Sequence, residues 1–256
     1  MKVYCCQLDM VWENKVENFA KVRNLLKTTR PEPGSLFVLP EMFSTGFTMN
    51  VAAAATKKND GTYQFLSEIC RELGIYTLAG IVSIDANGRG LNEAVVISPQ
   101  GDLITRYAKI HPFTLGGETK NYARGTAIAS FEWNGMKVVP FVCYDLRFPE
   151  VFRTAVRQGA EMFVVIAAWP NKRERHWTTL LEARSIENLA YVVGVNRAGT
   201  DPQHVYSGRT MIFDYHGQVL ADAGSAEGII SAEIDKSAMM QWRKDFPALE
   251  DIHWKS

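Results

Sequence analysis

VVPFVCYDLRFP, residues 138–149, is the stretch on which the fold turns. Its apolar run, Val138 to Val142, has the length and β-branched content of a buried strand and stops at Cys143. Asp145 and Arg147 follow at once, Pro149 blocks further extension, and EVFRTAVRQGA predicts a helix from Glu150 to Gln158. Cys143 therefore stands at a strand-to-helix elbow. In α/β proteins ligands and chemistry collect at the carboxyl ends of strands, and a helix N-terminus there lowers a thiol pKa from about 8.5. Cys143 is thus a candidate nucleophile, although free cysteine is also among the most buried residue types and is often inert core. The stretch alone leaves both readings open.

The neighbouring elements repeat the pattern of chemistry at a strand end. LFVLP, residues 36–40, reads as a buried strand that delivers Glu41, and LITRYAKI alternates along residues 103–110 and delivers Lys109. Residues 2–8 form a strand with Cys5 and Cys6 on opposite faces, VENFAKVRNLLKTT an amphipathic helix, and Tyr63 to Leu73 another with Cys70 in its apolar stripe. IYTLAGIVSI and AVVIS are strands, the latter joined by PQGD to LITRYAKI. After Cys143 the order recurs: strand MFVVIAAWP, a helix from His176 to Leu189, strand AYVVGVN, then TMIFD and QVLAD across a YHG turn. LFVLPEMF aligns with MFVVIAAW and VVISPQGDLI with MIFDYHGQVL, with Gly101 and Gly217 at matching turns. Two similar halves, each a sheet covered by helices on one face, predict an α/β protein built as a four-layer α-β-β-α sandwich. Glu41 and Lys109 come from the first half and Cys143 from the second. Residues 1–256 are expected to form one domain, with 237–256 as a tail carrying Met239, Met240, Trp242, Phe246 and Trp254 that packs on its own body or on a partner subunit.

Composition narrows the partner. Of 256 residues 46% are hydrophobic and 22% charged, enough for a sizeable core. Lys plus Arg and Asp plus Glu number 28 each, so no basic field attracts nucleic acid or an anionic membrane, and a small molecule is the expected partner. The start, MKVYCCQLDMVWENK, lacks the apolar core of a signal peptide, and no run is long enough to span a bilayer, which predicts a soluble, cytoplasmic protein. Four cysteines without paired spacing are expected to be reduced, and five scattered histidines suggest no metal site.

LPEMF with Glu41, RYAKIHPF with Lys109 and VCYDLRFP with Cys143, in that chain order, resemble the nitrilase superfamily of carbon–nitrogen hydrolases. The likeness extends from GSLFVLPE through AWP and the HWTTLLEARSIEN helix to the final hairpin, and that family's fold is the α-β-β-α sandwich. The resemblance implies that Glu41 is the general base, that Cys143 attacks an amide carbon, and that Lys109 with the Tyr144 N–H stabilises the oxyanion, with no metal and no cofactor. Glu118 matches the family's second glutamate. PEMFSTGF, CYDLRFPE, AAWP and RERHW resemble the omega-amidase branch, which implies hydrolysis of the terminal amide of 2-oxo dicarboxylic acid monoamides such as 2-oxoglutaramate. A guanidinium would suit the distal carboxylate: Arg173 is chosen over Arg175, against the alternative of a solvated charge. Phe43, Phe47, Phe113 and Trp169 are expected as apolar walls, Arg147 as the partner of a carboxylate near the elbow, and His111 as structural. The resemblance further implies a homodimer formed through the helices Glu150–Gln158 and His176–Leu189. Nitrilase or N-carbamoyl hydrolase chemistry, or a catalytically silent binding protein, are the alternatives.

Overall fold

The structure, a computed structural model, describes residues 1–56 and 61–253. The first half runs β1 (Lys2–Gln7), α1 (Lys15–Thr28), β2 (Leu36–Val38), α2 (Val51–Ala54), α3 (Thr62–Leu73), β3 (Tyr76–Ile84), β4 (Gly90–Ile97), β5 (Leu103–Ala108), α4 (Glu118–Asn121) and β6 (Tyr122–Ala123). The second runs β7 (Phe131–Trp133), β8 (Met136–Val142), α5 (Pro149–Arg157), β9 (Met162–Ala167), α6 (Glu174–Asn188), β10 (Tyr191–Asn196), β11 (Ala198–Thr200), β12 (Val205–Ser207), β13 (Met211–Phe213), β14 (Val219–Asp222), β15 (Gly228–Glu233) and α7 (Lys236–Asp245).

One sheet has the order β15-β1-β2-β3-β4-β5, with β6 added beside β4, and the other β14-β13-β10-β9-β8-β7. The two orders superpose: β1-β2-β3 and β8-β9-β10 are parallel triplets, each followed by an antiparallel hairpin, β4-β5 and β13-β14. Gly101 and Gly217 hold φ of 82° and 84° in the matching turns, a conformation glycine adopts without a Cβ clash. β15 crosses back to pair antiparallel with β1, so the last strand of the second half closes the sheet of the first.

Side-chain alternation builds the layers. Val3, Cys5, Leu36, Val38, Ala94 and Val96 face the core that includes the second sheet, whereas Tyr4, Cys6, Phe37, Leu39, Val95 and Ile97 pack with Val22 and Leu26 of α1 and Leu66, Ile69 and Cys70 of α3. Phe152 and Ala155 of α5 and Trp177 and Leu181 of α6 cover the other sheet. Four layers result, α-β-β-α. The boundaries follow from local chemistry: Pro149 opens α5 at its first position, where the missing N–H is harmless, and Asn14 caps α1 by accepting from Glu17 N. Pro140 lies within β8, but β7 covers β8 only from Met136 to Val138, so Pro140 stands on an open edge. The tail packs on its own body through α7, where Met239 is buried and Arg243 donates to the carbonyls of Leu189 and Ala160; Trp254 lies outside the described residues. Among the described residues no helix is long and apolar enough to cross a membrane.

Candidate active site

Where β8 ends, Cys143 takes φ +47° and opens a single tight helical turn, Cys143–Arg147. A left-handed backbone at a non-glycine residue costs about 1–2 kcal/mol and persists only when its surroundings hold it. The holder is Asp145, a fully buried carboxylate. Its Oδ2 accepts from the Tyr107 hydroxyl at 2.7 Å and Val142 N at 3.1 Å, and its Oδ1 from His111 N at 2.9 Å, with His111 Nδ1 at 2.8 Å. His111 in turn stacks on Phe148, 3.8 Å between ring centroids. Sequence and tertiary packing meet here: the carboxylate two residues after the thiol ties the elbow to β5 and the segment beyond it.

A second strand end is built by close approach. After β2 the chain turns sharply at Met42, φ +47°, so that Glu41 points into the protein. Gly80 of β3 lies beneath this turn; Gly80 N donates to Pro40 O and Gly80 O accepts from Phe43 N. A Cβ at residue 80 would come within 2.5 Å of Glu41 Cα and 2.6 Å of Met42 N. Only glycine lets the backbone pass.

Around Lys109 the two glutamates close a ring. Lys109 Nζ lies 2.9 Å from Glu41 Oε1 and 2.8 Å from Glu118 Oε2, with all three side chains buried. Asn92 Nδ2 donates to Glu41 Oε1 at 2.6 Å and to Glu118 Oε1 at 2.8 Å. Ala168 N donates to Glu41 Oε2, and Phe113 N to Glu118 Oε2. Burial pulls the Lys109 ammonium down, but Glu118, Glu41 and Cys143 outweigh it and hold it well above its ordinary value. Burial pushes the Cys143 thiol well up; the charge of Glu41 adds to this, Lys109 opposes it, and Glu41 also hydrogen-bonds the thiol. The resting thiol is therefore held toward its neutral form beside Glu41 and Lys109. Burial also raises Cys5, Cys6 and Cys70, the last to about 11.

Cys143 opens into a cleft whose walls include Phe47, Phe113, Tyr144, Arg147, Trp169 and Arg173. Of the residues singled out from the sequence, Phe47, Phe113, Trp169 and Arg173 line this cleft. Phe43 does not: it is buried in the outer core, 5.9 Å from Phe19 and 6.1 Å from Phe65 between centroids, because the turn at Met42 sends it to the face opposite Glu41. Phe47, also expected as a wall, lines the cleft with Lys109 Nζ 5.4 Å from its ring centroid. Arg175 is exposed and outside the cleft.

Arg147 departs from the expected ion pair. Among the described residues no carboxylate lies within ion-pair distance of Arg147 or Arg173; Arg147 lies over Trp169 at 4.7 Å and Arg173 over Phe113 at 5.4 Å. Burial holds the Arg147 guanidinium below its ordinary value; Tyr144 and Cys143 oppose that, and the charge of Arg173 adds to it. Two guanidiniums thus face the cleft without an anion. His204, from the β11–β12 hairpin, is a further wall that sequence patterning missed. Asn92 was missed too; its only signal is an amide within the apolar strand GLNEAVVI.

The whole chain also resembles known proteins. A family model described as carbon–nitrogen hydrolase matches residues 2–244. The chain is 32% identical over 251 residues to the 2-oxoglutaramate amidase of Bacillus subtilis (strain 168), covering 98% of this chain and 96% of that protein. It is 34% identical over 256 residues to the omega-amidase YafV of Yersinia enterocolitica, at 98% and 96% coverage. Among solved structures, a CN-hydrolase superfamily protein from Xanthomonas campestris, with an arsenic adduct in its active site, aligns at TM-score 0.93 and 29% identity over 100% of this chain and 98% of that one.

Proposed function

This chain belongs to the carbon–nitrogen hydrolase family, and from that membership we propose that it is an omega-amidase that hydrolyses 2-oxoglutaramate to 2-oxoglutarate and ammonia. The observation that carries the reading is the meeting of Glu41, Lys109 and Cys143, from three strand ends and both halves, beside a cleft whose two guanidiniums have no carboxylate partner.

In this reading Glu41 takes the thiol proton as Sγ bonds to the amide carbon, and the carbonyl electron pair moves onto oxygen. The need for a base follows from the buried, protonated thiol. Lys109 and the N–H of Tyr144 face the oxyanion; Tyr144 sits in the first turn after β8, where N–H groups lack intrahelical acceptors. Collapse breaks the C–N bond, Glu41-H protonates the departing nitrogen, and ammonia leaves a thioester on Cys143. Glu41 then draws a proton from water as it attacks, the C–S bond breaks, and the thiolate recovers its proton. Glu118 fixes the ammonium and, through Phe113 N, one wall of the cleft. Arg173 and Arg147 receive the distal carboxylate and the 2-oxo group, with Phe47, Phe113 and Trp169 along the methylenes.

The same reading takes residues 1–256 as one catalytic domain working in the cytoplasm, where its four free cysteines stay reduced, and as a homodimer through α5 and α6. The test is ammonia release across omega-amides, nitriles and N-carbamoyl compounds. Turnover of 2-oxoglutaramate above the rest supports the proposal; preference for a nitrile or carbamoyl compound replaces it with that activity.

A further inference from the structure

Among the described residues Asn92 is the one uncharged side chain that hydrogen-bonds both Glu41 and Glu118. It lies in β4, one strand in from the β5 end that carries Lys109, and its own carbonyl accepts from Lys109 N at 2.9 Å. Each of its two amide protons thus has a carboxylate, while its Oδ1 is buried with no hydrogen-bond partner among the described residues. Flipping the amide would set that oxygen against two carboxylate oxygens, so the orientation is determined by the site. An orphaned buried carbonyl is a cost that valine or threonine at this strand position would avoid. A residue that carries such a cost at a buried strand position serves the groups it contacts.

We propose that Asn92 is a positioning residue that clamps Glu41 and Glu118 on either side of Lys109 and keeps both carboxylates in the charged form that the reaction needs. Without it one ammonium would serve two carboxylates, and the rotamer of Glu41 would rest on Lys109, Ala168 N and the reacting thiol itself. Donation to the charged form opposes protonation, and a geometric error near 1 Å at a reacting group costs about 10²-fold in rate. The titratable and charged groups facing the pair are Lys109 after β5, Cys143 after β8, Tyr122 of β6 and Tyr206 of β12. Of these only Lys109 also bonds both carboxylates, so Asn92 is the second bridge between them. The inference deepens the amidase reading and rests on its assignment of Glu41 as the base.

The test compares wild type with Asn92→Ala and the near-isosteric Asn92→Asp, reading ammonia release against pH and, separately, the pH dependence of iodoacetamide capture at Cys143 by peptide mass spectrometry. The acid limb of kcat/KM should move up by about one pH unit in Asn92→Ala, and further in Asn92→Asp, where a third carboxylate is added. The value of kcat should fall about 10- to 100-fold with KM little changed. The capture profile should move the same way. Profiles that superimpose on wild type in every variant that folds, whatever their melting temperatures, would reduce Asn92 to a structural residue and overturn the proposal. Wild type that turns over no amide, with the capture profiles still displaced, would instead sink the functional reading and leave the clamp standing.

Discussion

Replacing Asp145 by Asn tests how the nucleophile is held, and its size can be worked from four contacts. The carboxylate accepts from Val142 N and the Tyr107 hydroxyl on one oxygen and faces His111 N and Nδ1 on the other. Tyr107 can rotate its hydroxyl and His111 can change tautomer, but the two backbone N–H groups cannot change sign. Whichever way the new amide turns, its NH₂ meets one of them. That buried donor is left unsatisfied at about 1–3 kcal/mol, and the remaining contacts weaken from charge-assisted to neutral, for a total of about 3 kcal/mol. Against a typical stability of about 5–15 kcal/mol the protein should still fold. The elbow at Cys143, which depends on Val142 and Asp145 for its left-handed backbone, should loosen, and kcat should drop about 10²-fold. Urea unfolding and steady-state ammonia release measure the two effects. A variant that keeps both wild-type stability and wild-type kcat would refute the claim that Asp145 fixes the nucleophile.

Gly80→Ala places a methyl against the backbone of Glu41 and Met42, so it should cost about 1–3 kcal/mol and remove most activity, as urea midpoints and kcat would report. Arg173→Ala and Arg147→Ala should each raise KM for 2-oxoglutaramate by about tenfold or more, the loss of a charge-assisted contact, with a smaller effect on amides lacking the carboxylate. Stability should be insensitive to the buried thiols at neutral pH and fall in alkali. Cys70, lifted by burial from 9.0 to about 11, keeps its proton in the folded state to higher pH than in the unfolded chain. Its contribution is therefore whole below the unfolded value and is lost as pH rises towards 11, about 3 kcal/mol in all. Urea midpoints across that window should show the decline, and Cys70→Ala should make it shallower, with Cys5, Cys6 and Cys143 carrying the rest.

Period-two alternation and abrupt strand ends made much of this architecture legible. The apolar runs before Glu41 and Cys143 and the alternation before Lys109 each become a strand whose end carries the residue named, and the paired turns at Gly101 and Gly217 reveal the two-fold plan. What escaped has physical causes. β15 joins β1 from the far end of the chain, in a register that no local pattern encodes, from Lys2 with Glu233 to Gln7 with Gly228. Phe43 and Phe47 look alike in a loop, and only the φ of Met42 decides which one reaches the cleft. Arg147 reads as a neighbour for a carboxylate, yet Asp145, two residues before it in the chain, already has its donors, and the guanidinium lies over Trp169. Asn92 hides because a polar residue in a strand is usually a surface position; here tertiary pairing buries it between two acids.

Rapid quench of wild type turning over 2-oxoglutaramate, followed by intact-mass and peptide mapping, tests the central claim most directly. The account predicts a substrate-derived acyl group on Cys143, absent from Cys143→Ala, which should fold as wild type and release no ammonia. Ammonia release that survives Cys143→Ala, or an acyl group found on another residue, would contradict it.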